Sequence, residues 1–249
     1  MDEADGAPGA AEHSADREYH EQVDPHGHRS RLVEVILGGQ DGLVNVLGVI
    51  LGVAAASGSQ RLVIAAGLAA TFAESISMAA VAFTTKRAEA ELFQREAARE
   101  RRHFHRVPEL EREEVRAFYR RKGFQGALLE KIVQTITADE EVWLAVMMAE
   151  EHRLEPVSMR RALGAALVVG LAAVAGSLVP LAPFLVLGVT AAGWASVALS
   201  AAALFAFGAL KARWTVGRSW RGGAELAAIG IASAMVGYLV GAAFELRDR

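Results

Sequence analysis

The stretch ALGAALVVGLAAVAGSLVPLAPFLVLGVTAAGWASVALSAAALFAFGAL, residues 162–210, contains no Asp, Glu, Lys, Arg or His. As one helix it would be about 74 Å long, at roughly 1.5 Å per residue. That length is more than twice the ~30 Å hydrocarbon core of a bilayer. Pro180 and Pro183 divide the stretch near its middle, where proline interrupts a helix. The stretch therefore predicts two membrane-spanning helices joined by a tight hairpin over residues 179–183.

Three further apolar stretches have the length of a membrane span. Residues 32–56 are apolar apart from two acids and two amides, residues 62–85 carry one charge, and residues 224–244 form the last stretch. Together with the two helices of 162–210, they predict five transmembrane helices. The fold class expected is an all-α membrane protein.

The charged residues are concentrated elsewhere in the chain. Residues 86–161 hold 16 of the 26 Lys and Arg residues and 15 of the 29 Asp and Glu residues. This segregation is typical of a membrane protein with a charged aqueous module. The net charge of −3 gives no indication of a nucleic-acid partner, and none is expected. The chain has no cysteine, which excludes disulfides, thiolate metal sites and cysteine nucleophiles.

The basic residues of the connecting segments orient the spans, because cytoplasmic loops are enriched in Lys and Arg. Arg29 and Arg31 stand directly before the first span, the link 57–61 has one arginine, the proline hairpin has no basic residue, and the link 211–222 has four basic residues. We therefore expect the N-terminus, the charged module and the link 211–222 in the cytoplasm. The Ala-, Gly- and Arg-rich composition predicts a bacterial plasma membrane.

The expected organisation has four parts: a disordered, acidic, histidine-containing tail over 1–30, helices one and two over 31–86, a cytoplasmic helical metal-binding domain over 87–156, and helices three to five over 157–249. The domain should contain three helices, namely a continuation of span two to Arg106, a second over 109–122 and a third over 124–154. Its candidate core residues are Leu92, Phe93, Phe104, Leu110, Phe118, Leu128, Leu129, Ile132 and Trp143.

Possible metal ligands recur at helical spacing in this domain. Each of three segments brings such residues onto one helical face: Glu100 with His103, Glu111 with Glu114, and Met147, Met148 and Glu151. The Glu-x-x-His pair is used by di-iron helical bundles. Carboxylate, imidazole and thioether ligands suit Fe²⁺ or Mn²⁺, and Zn²⁺ also binds such sets. A solvated helix face accounts for any single glutamate, and the two methionines could simply fill a gap between helices.

Polar residues also lie inside the apolar spans. Asp41 and Asn45 are four residues apart in span one, and Glu74 and Met78 are four apart in span two. A carboxylate in hydrocarbon costs at least ~2.5–3.5 kcal/mol, so such groups usually face a polar partner or pathway. These residues are either a structural hydrogen-bonded pair or the lining of a cation pathway. Two Gly-x-x-x-Gly pairs in span one favour close approach of two copies of that span.

Two segments carry a resemblance to a known family. Residues 38–45 read GGQDGLVN and residues 73–80 read AESISMAA, followed by a charged helical insert and three further spans. In this order the segments resemble the vacuolar iron transporter family over roughly residues 29–246. The resemblance implies a homodimer with five spans per subunit, a cytoplasmic three-helix metal-binding domain, and export of Fe²⁺, often also Mn²⁺, in exchange for protons.

The resemblance also implies site residues. Asp41 and Met78 match the pathway aspartate and methionine of the family, and the insert ligands match Glu100, His103, Glu111, Glu114, Met147, Met148 and Glu151. His103 stands where the family pattern has glutamate. After Met78, the segment 81–83 reads VAF where Gly-Glu-Tyr is common, so one carboxylate of the family pattern is missing.

The leading hypothesis is therefore a proton-coupled Fe²⁺ and Mn²⁺ exporter that is not an enzyme and has no prosthetic group. Its partners would be metal ions, protons, the lipid bilayer and a second copy of the chain. The alternatives are a membrane-anchored ferritin-like oxidase, which would need a second Glu-x-x-His motif, and a metal sensor that binds but does not transport.

Overall fold

The structure is a computed structural model that describes residues 29–214 and 218–244. Residues 1–28 of the expected tail, with their four histidines, lie outside the described residues. Residues 29 and 30, which were expected to belong to the tail, instead form the first turn of a helix.

The described chain is helical. Its helices are α1 Arg29–Ser57, α2 Gln60–Arg106, α3 Pro108–Arg121, α4 Gly126–Thr137, α5 Glu140–Glu150, α6 Met159–Leu181, α7 Val189–Trp214 and α8 Ser219–Ala243, with a 3₁₀ turn over Ala182–Leu185. Five of them, α1, α2, α6, α7 and α8, are long and apolar enough to cross a membrane. The prediction of an all-α membrane protein with five apolar spans is confirmed.

The chain divides into two compact units. The membrane unit consists of the residues up to Met78 and from Val168 onward, and the insert unit consists of Ala79–Leu167. In the membrane unit, α1 packs against α7 and α8, and these two helices also pack against each other. Leu43, Val46, Leu47 and Ile50 of α1 are almost completely buried. Helix α1 is thus the central helix of this unit.

Glycines allow the helices of the membrane unit to approach closely. A Cβ at Gly42 would collide with the Ala173 carbonyl of α6, and one at Gly52 would lie 2.9 Å from the Gly237 oxygen of α8. The Gly-x-x-x-Gly pairs of α1 therefore pack within one chain. The prediction that they join two copies of this span is wrong, because glycine spacing sets how closely helices approach and does not select the partner.

The links between α1 and α2 and between α6 and α7 are short and held by hydrogen bonds. Gly58 has a φ of 60° in the turn between α1 and α2, a conformation that glycine adopts without strain. The Gln60 Nε2 donates to the Phe184 carbonyl at 2.5 Å, which ties this turn to the link between α6 and α7. That link begins at residue 182, because Pro180 remains in the last turn of α6. The turn predicted over 179–183 therefore lies a few residues further along.

The insert unit packs α3, α4 and α5 together. Helix α3 begins with Pro108, two acids occupy its first turn, and two arginines occupy its last, as expected from the helix dipole. The third helix predicted over 124–154 is two helices. Asp139 causes the break, since its carboxylate accepts hydrogen bonds from the backbone N–H groups of Glu141 and Val142 and so caps a new helix.

The core of the insert unit differs in part from the expected one. Phe104 and Trp143 are buried and stack with ring centroids 4.3 Å apart. Three expected core residues, Leu92, Leu110 and Leu128, are instead 44–58% exposed. Their places are taken by buried residues of neighbouring helical positions: Ala97, Val115, Val133, Ile136, Leu144, Met147 and Met148. These residues lie on helices as expected, but the side of each helix that faces the core depends on how the helices pack.

Candidate metal centre

A cluster of buried acids and half-buried imidazoles lies inside the insert unit. Glu100 of α2 and Glu111 of α3 are 2% and 3% exposed, and carboxylate oxygens of the two residues lie within 4.8 Å of each other. The His103 Nδ1 lies 3.1 Å from the Glu111 Oε1. The His152 Nε2 lies 3.0 Å from the Glu100 Oε1. Residues from α2, α3 and the end of α5 therefore meet at one point.

These side chains form two overlapping sets of ligands. Glu100, His103 and Glu111 offer ligand atoms that all lie within 4.8 Å of one another, and so do Glu100, Glu151 and His152. Glu100 belongs to both sets. Each set combines two carboxylates with one imidazole, a combination that suits divalent transition metals. The cluster thus provides two adjoining positions at which a metal ion could be held.

The two buried acids also have unused hydrogen-bonding capacity. Within residues 29–214 and 218–244, no hydrogen-bond partner reaches the Oε2 atom of Glu100 or of Glu111. A buried oxygen without a partner costs about 1–3 kcal/mol, and more when it is charged. A bound cation would supply the missing interaction. This observation distinguishes the cluster from an ordinary acidic helix face.

The charges of the cluster disfavour one another. Burial, and then the nearby carboxylates of Glu100, Glu114 and Glu151, together raise the pKa of Glu111 to about 7. Burial raises the pKa of Glu114 most, and the carboxylates of Glu151 and Glu100 raise it less. The imidazoles of His103 and His152 act in the opposite direction. The acids therefore repel one another without a cation, as metal-binding carboxylates do.

The two predicted methionine ligands lie in the apolar core of the insert unit. Met147 is fully buried and Met148 is 2% exposed, and both pack with Trp143 and Leu144. Their backbone carbonyls accept hydrogen bonds from the turn that follows α5, from Glu151 and His152 at Met147 and from Leu154 at Met148. Their buried thioethers fill the core, and a role as ligands stays a prediction.

His152 is a cluster residue that sequence reasoning missed. It directly follows Glu151, the last predicted ligand, but it lies beyond the end of α5, so helical periodicity gives it no assigned face. Its only sequence signal is the adjacent Glu-His pair. The irregular turn at residues 151–154, with Arg153 at a φ of 53°, directs the imidazole to Glu100.

A second polar cluster lies inside the membrane unit. The Glu74 carboxyl group lies beside the Asp41 carboxyl and the Asn45 side chain, so α1 and α2 bring these three residues together. Two carboxyl groups in contact require a shared proton or a cation between them. Met78 lies one turn beyond Glu74 on α2 and is half-buried. Asp41 and Glu74 are also half-buried, whereas Asn45 is exposed.

Five apolar helices, a carboxyl cluster among them and an acid–imidazole cluster in the insert unit define an integral membrane protein with a candidate metal centre. A model of the VIT family matches residues 32–242. The chain belongs to this family. It is 34% identical over 232 residues to vacuolar iron transporter 1 of Eucalyptus grandis, covering 92% of each chain. It is 31% identical over 244 residues to vacuolar iron transporter 1 of Oryza sativa subsp. japonica, covering 97% of each chain.

Proposed function

We propose that this protein exports Fe²⁺, and also Mn²⁺, from the cytosol in exchange for protons. Membership of a family whose relatives are named vacuolar iron transporter supports metal transport. The observation that carries the proposal is the proximity of Glu74 to Asp41 and Asn45 inside apolar helices. Carboxylates that cost several kcal/mol to insert are retained where they serve an ion or proton pathway.

The proposed cycle divides the work between the two clusters. The insert cluster captures metal through Glu100, His103, Glu111, Glu114 and Glu151, with Met147 and Met148 as further candidate ligands. Asp41, Asn45, Glu74 and Met78 line the pathway. Protons that reach the Asp41 and Glu74 carboxyl groups weaken their hold on the metal, because a carboxylate must be deprotonated to ligate. Metal release and proton entry are thus linked at the same groups.

The metal ions are the substrate in this proposal, and the protein is not an enzyme. Softer thioether and imidazole ligands favour a transition metal over Mg²⁺ or Ca²⁺. Zn²⁺ would also bind the insert cluster, because two imidazoles take part.

We further propose a homodimer in which a second copy covers the membrane carboxyl cluster. Asp41 and Glu74 are half-exposed and Asn45 is exposed, although all three lie in apolar helices. Lipid tails offer these polar groups no hydrogen bond, whereas a second subunit would. Light scattering of the purified protein, corrected for detergent, should give twice the chain mass of 26.5 kDa. A mass of one chain would contradict the dimer.

The proposed orientation places the N-terminus, the insert unit and the link between α7 and α8 in the cytoplasm. The basic residues of these segments support it. The contact of Gln60 with the Phe184 carbonyl supports a common location for the two links that are poor in charge. The Ala-, Gly- and Arg-rich composition supports a bacterial plasma membrane, whereas the named relatives are vacuolar proteins of plants. The orientation applies to either membrane.

The decisive experiment is Fe²⁺ uptake into proteoliposomes with an acidic lumen. Wild-type protein should accumulate Fe²⁺ and raise the luminal pH. Asp41→Asn should abolish uptake, because it removes the pathway charge, and Glu100→Gln should weaken it, because capture is impaired. Glu109→Gln is the matched control, since Glu109 is 84% exposed in its ion pair with Arg112.

Two outcomes would overturn the proposal. If wild-type protein binds Fe²⁺ but moves no divalent metal, the protein is a sensor or an iron-binding oxidase, and oxygen consumption on Fe²⁺ addition separates these two. If Fe²⁺ moves but luminal pH does not respond and the flux ignores the pH gradient, the protein is a metal transporter without proton coupling.

A further inference from the structure

His152 belongs to the insert cluster, the group of acids and imidazoles inside the insert unit, although its position in the sequence does not predict this. Its side chain is 16% exposed, and its Nε2 lies 3.0 Å from the Oε1 of Glu100, whose side chain is 3% exposed. Glu100 has a second oxygen that no hydrogen-bond donor reaches within the described residues 29–214 and 218–244. An imidazole nitrogen and an unpartnered carboxylate oxygen therefore lie next to each other inside the unit.

The backbone holds His152 in this place. The N–H groups of Glu151 and His152 donate to the Met147 carbonyl at 3.0 and 3.4 Å, and the Leu154 N–H donates to the Met148 carbonyl at 3.0 Å. Arg153 adopts a left-handed φ of 53°, which reverses the chain directly after the histidine. Because Met147 and Met148 are core residues, the turn is anchored to the best-packed part of the unit.

The two imidazoles are distributed over the two ligand sets. His103 belongs to the set with Glu100 and Glu111, and His152 belongs to the set with Glu100 and Glu151. Each possible metal position therefore has one nitrogen ligand. Oxygen-only sites suit Mn²⁺ and other hard cations, whereas imidazole nitrogen increasingly favours the later metals of the series, Co²⁺, Ni²⁺ and Zn²⁺.

We propose that His152 is a metal ligand and a specificity-determining residue, which with His103 shifts the preference of the insert cluster from Mn²⁺ toward Co²⁺ and Zn²⁺. This inference rests on the proposed function only in taking the cluster as the place where metal is captured. It concerns binding at equilibrium, so it is tested without transport.

The test is metal titration of the full-length protein in detergent, with Mn²⁺ and Zn²⁺ followed by calorimetry and Co²⁺ followed by its visible absorption. His152→Gln should reduce Zn²⁺ affinity by at least about tenfold and Mn²⁺ affinity less, because even the loss of a residue that only orients a ligand costs about 10–100-fold. The visible bands of bound Co²⁺ should shift, since they report the number of nitrogen ligands. His105→Gln is the matched control, because His105 is 73% exposed and 3.9 Å from its nearest acid, Glu140.

A second variant separates ligation from a structural role. His152→Glu keeps a ligand but replaces nitrogen by oxygen, so it should retain Mn²⁺ binding and lose the preference for Zn²⁺. The four histidines of residues 1–28 are present in every variant, so their metal binding cancels in the comparison.

Two results would overturn the inference. One is an unchanged ratio of Zn²⁺ to Mn²⁺ affinity in both variants. The other is an unchanged Co²⁺ spectrum in His152→Gln, which would make the histidine only an ion-pair partner of Glu100. Neither result bears on Fe²⁺ flux, so the proposed transport function would still stand. The converse combination is no Fe²⁺ flux in wild-type protein together with the expected change in the ratio of Zn²⁺ to Mn²⁺ affinity in the His152 variants. That combination of results would support this inference and contradict the proposed transport function.

Discussion

At the scale of single residues, the surroundings of Glu111 disfavour its ionised form. Its pKa is raised from its ordinary value of 4.5 to about 7, first by burial and then by three neighbouring carboxylates. In the apo protein, the resulting stability contribution is present below about pH 4.5 and is lost as the pH rises through 7. A divalent cation reverses the sign, because it binds the deprotonated group. The charged form of Glu111 thus destabilises the metal-free protein and strengthens metal binding.

We therefore predict that Mn²⁺ binding weakens as the pH falls from about 8 to about 6. A group with a pKa near 7 lowers the apparent affinity about tenfold over this range, because protons and metal compete for it. Calorimetry at both pH values measures this change. The charged and ionisable groups that face Glu111 are Glu100 and His103 of α2, Glu114 of α3, and Glu151 after α5.

Glu111→Gln provides the control for this prediction. It should weaken Mn²⁺ binding at both pH values and flatten the pH dependence. The apo variant should also unfold at a higher temperature than wild type at about pH 8, where Glu111 would be charged, and at a similar temperature at about pH 5. An apo variant that is less stable at the higher pH would show that the charge of Glu111 stabilises the fold.

Glu100 should contribute more to metal binding than an exposed glutamate. It belongs to both ligand sets and has an oxygen to which no described residue makes a hydrogen bond. We predict that Glu100→Gln weakens Mn²⁺ binding by about tenfold or more, since it removes a shared ligand. Glu109→Gln should leave the affinity within about twofold, because an exposed ion pair contributes little. Equal losses in both variants would indicate diffuse electrostatic attraction instead of a site.

At the scale of elements, the membrane unit depends on glycines at helix crossings. A Cβ at Gly237 of α8 would collide with the Gly48 backbone of α1, and one at Gly241 would collide with Gly52. Such contacts replace the hydrophobic effect, which does not drive helices together in lipid. The crossing of α1 and α8 therefore tolerates no side chain at these positions.

We predict that Gly237→Ala destabilises the protein by about 1–3 kcal/mol, the usual cost of overpacking. Thermal unfolding in detergent measures it. Gly164→Ala of α6 is the matched control, because nothing lies within 4 Å of a Cβ at Gly164 and alanine favours a helix over glycine. The control should be neutral or slightly stabilising. Equal melting temperatures for both variants would contradict the close crossing of α1 and α8.

At the scale of the whole molecule, the number of spans sets the topology. In the proposed topology, five spans place residues 29 and 244 on opposite sides of the membrane. The absence of native cysteine means that any single introduced cysteine is the only labelling site. The proposed orientation is therefore directly measurable in cells.

We predict that a membrane-impermeant maleimide labels Val186→Cys in intact bacterial cells and labels Gln134→Cys only after permeabilisation. Val186, in the link between α6 and α7, is 81% exposed, and Gln134 is exposed on α4. The reverse pattern would invert the orientation. Labelling of both residues in intact cells would contradict placement of the two segments on opposite sides.

The number of apolar spans and the segregation of charge could both be predicted from composition along the chain. Both follow from the bilayer, whose thickness fixes span length and whose interior excludes charge, so local composition is sufficient. Helical periodicity was likewise enough to place Glu100 with His103 and Glu111 with Glu114 on shared faces.

Which helix faces pack against each other could be seen only in the three-dimensional structure. It placed the glycines of α1 against α6 and α8 of the same chain, and Val115 rather than Leu110 in the core. It also joined Glu74 to Asp41 and added His152 through an irregular turn. Periodicity describes a single helix, whereas these contacts depend on the crossing of separate helices and on backbone beyond their ends.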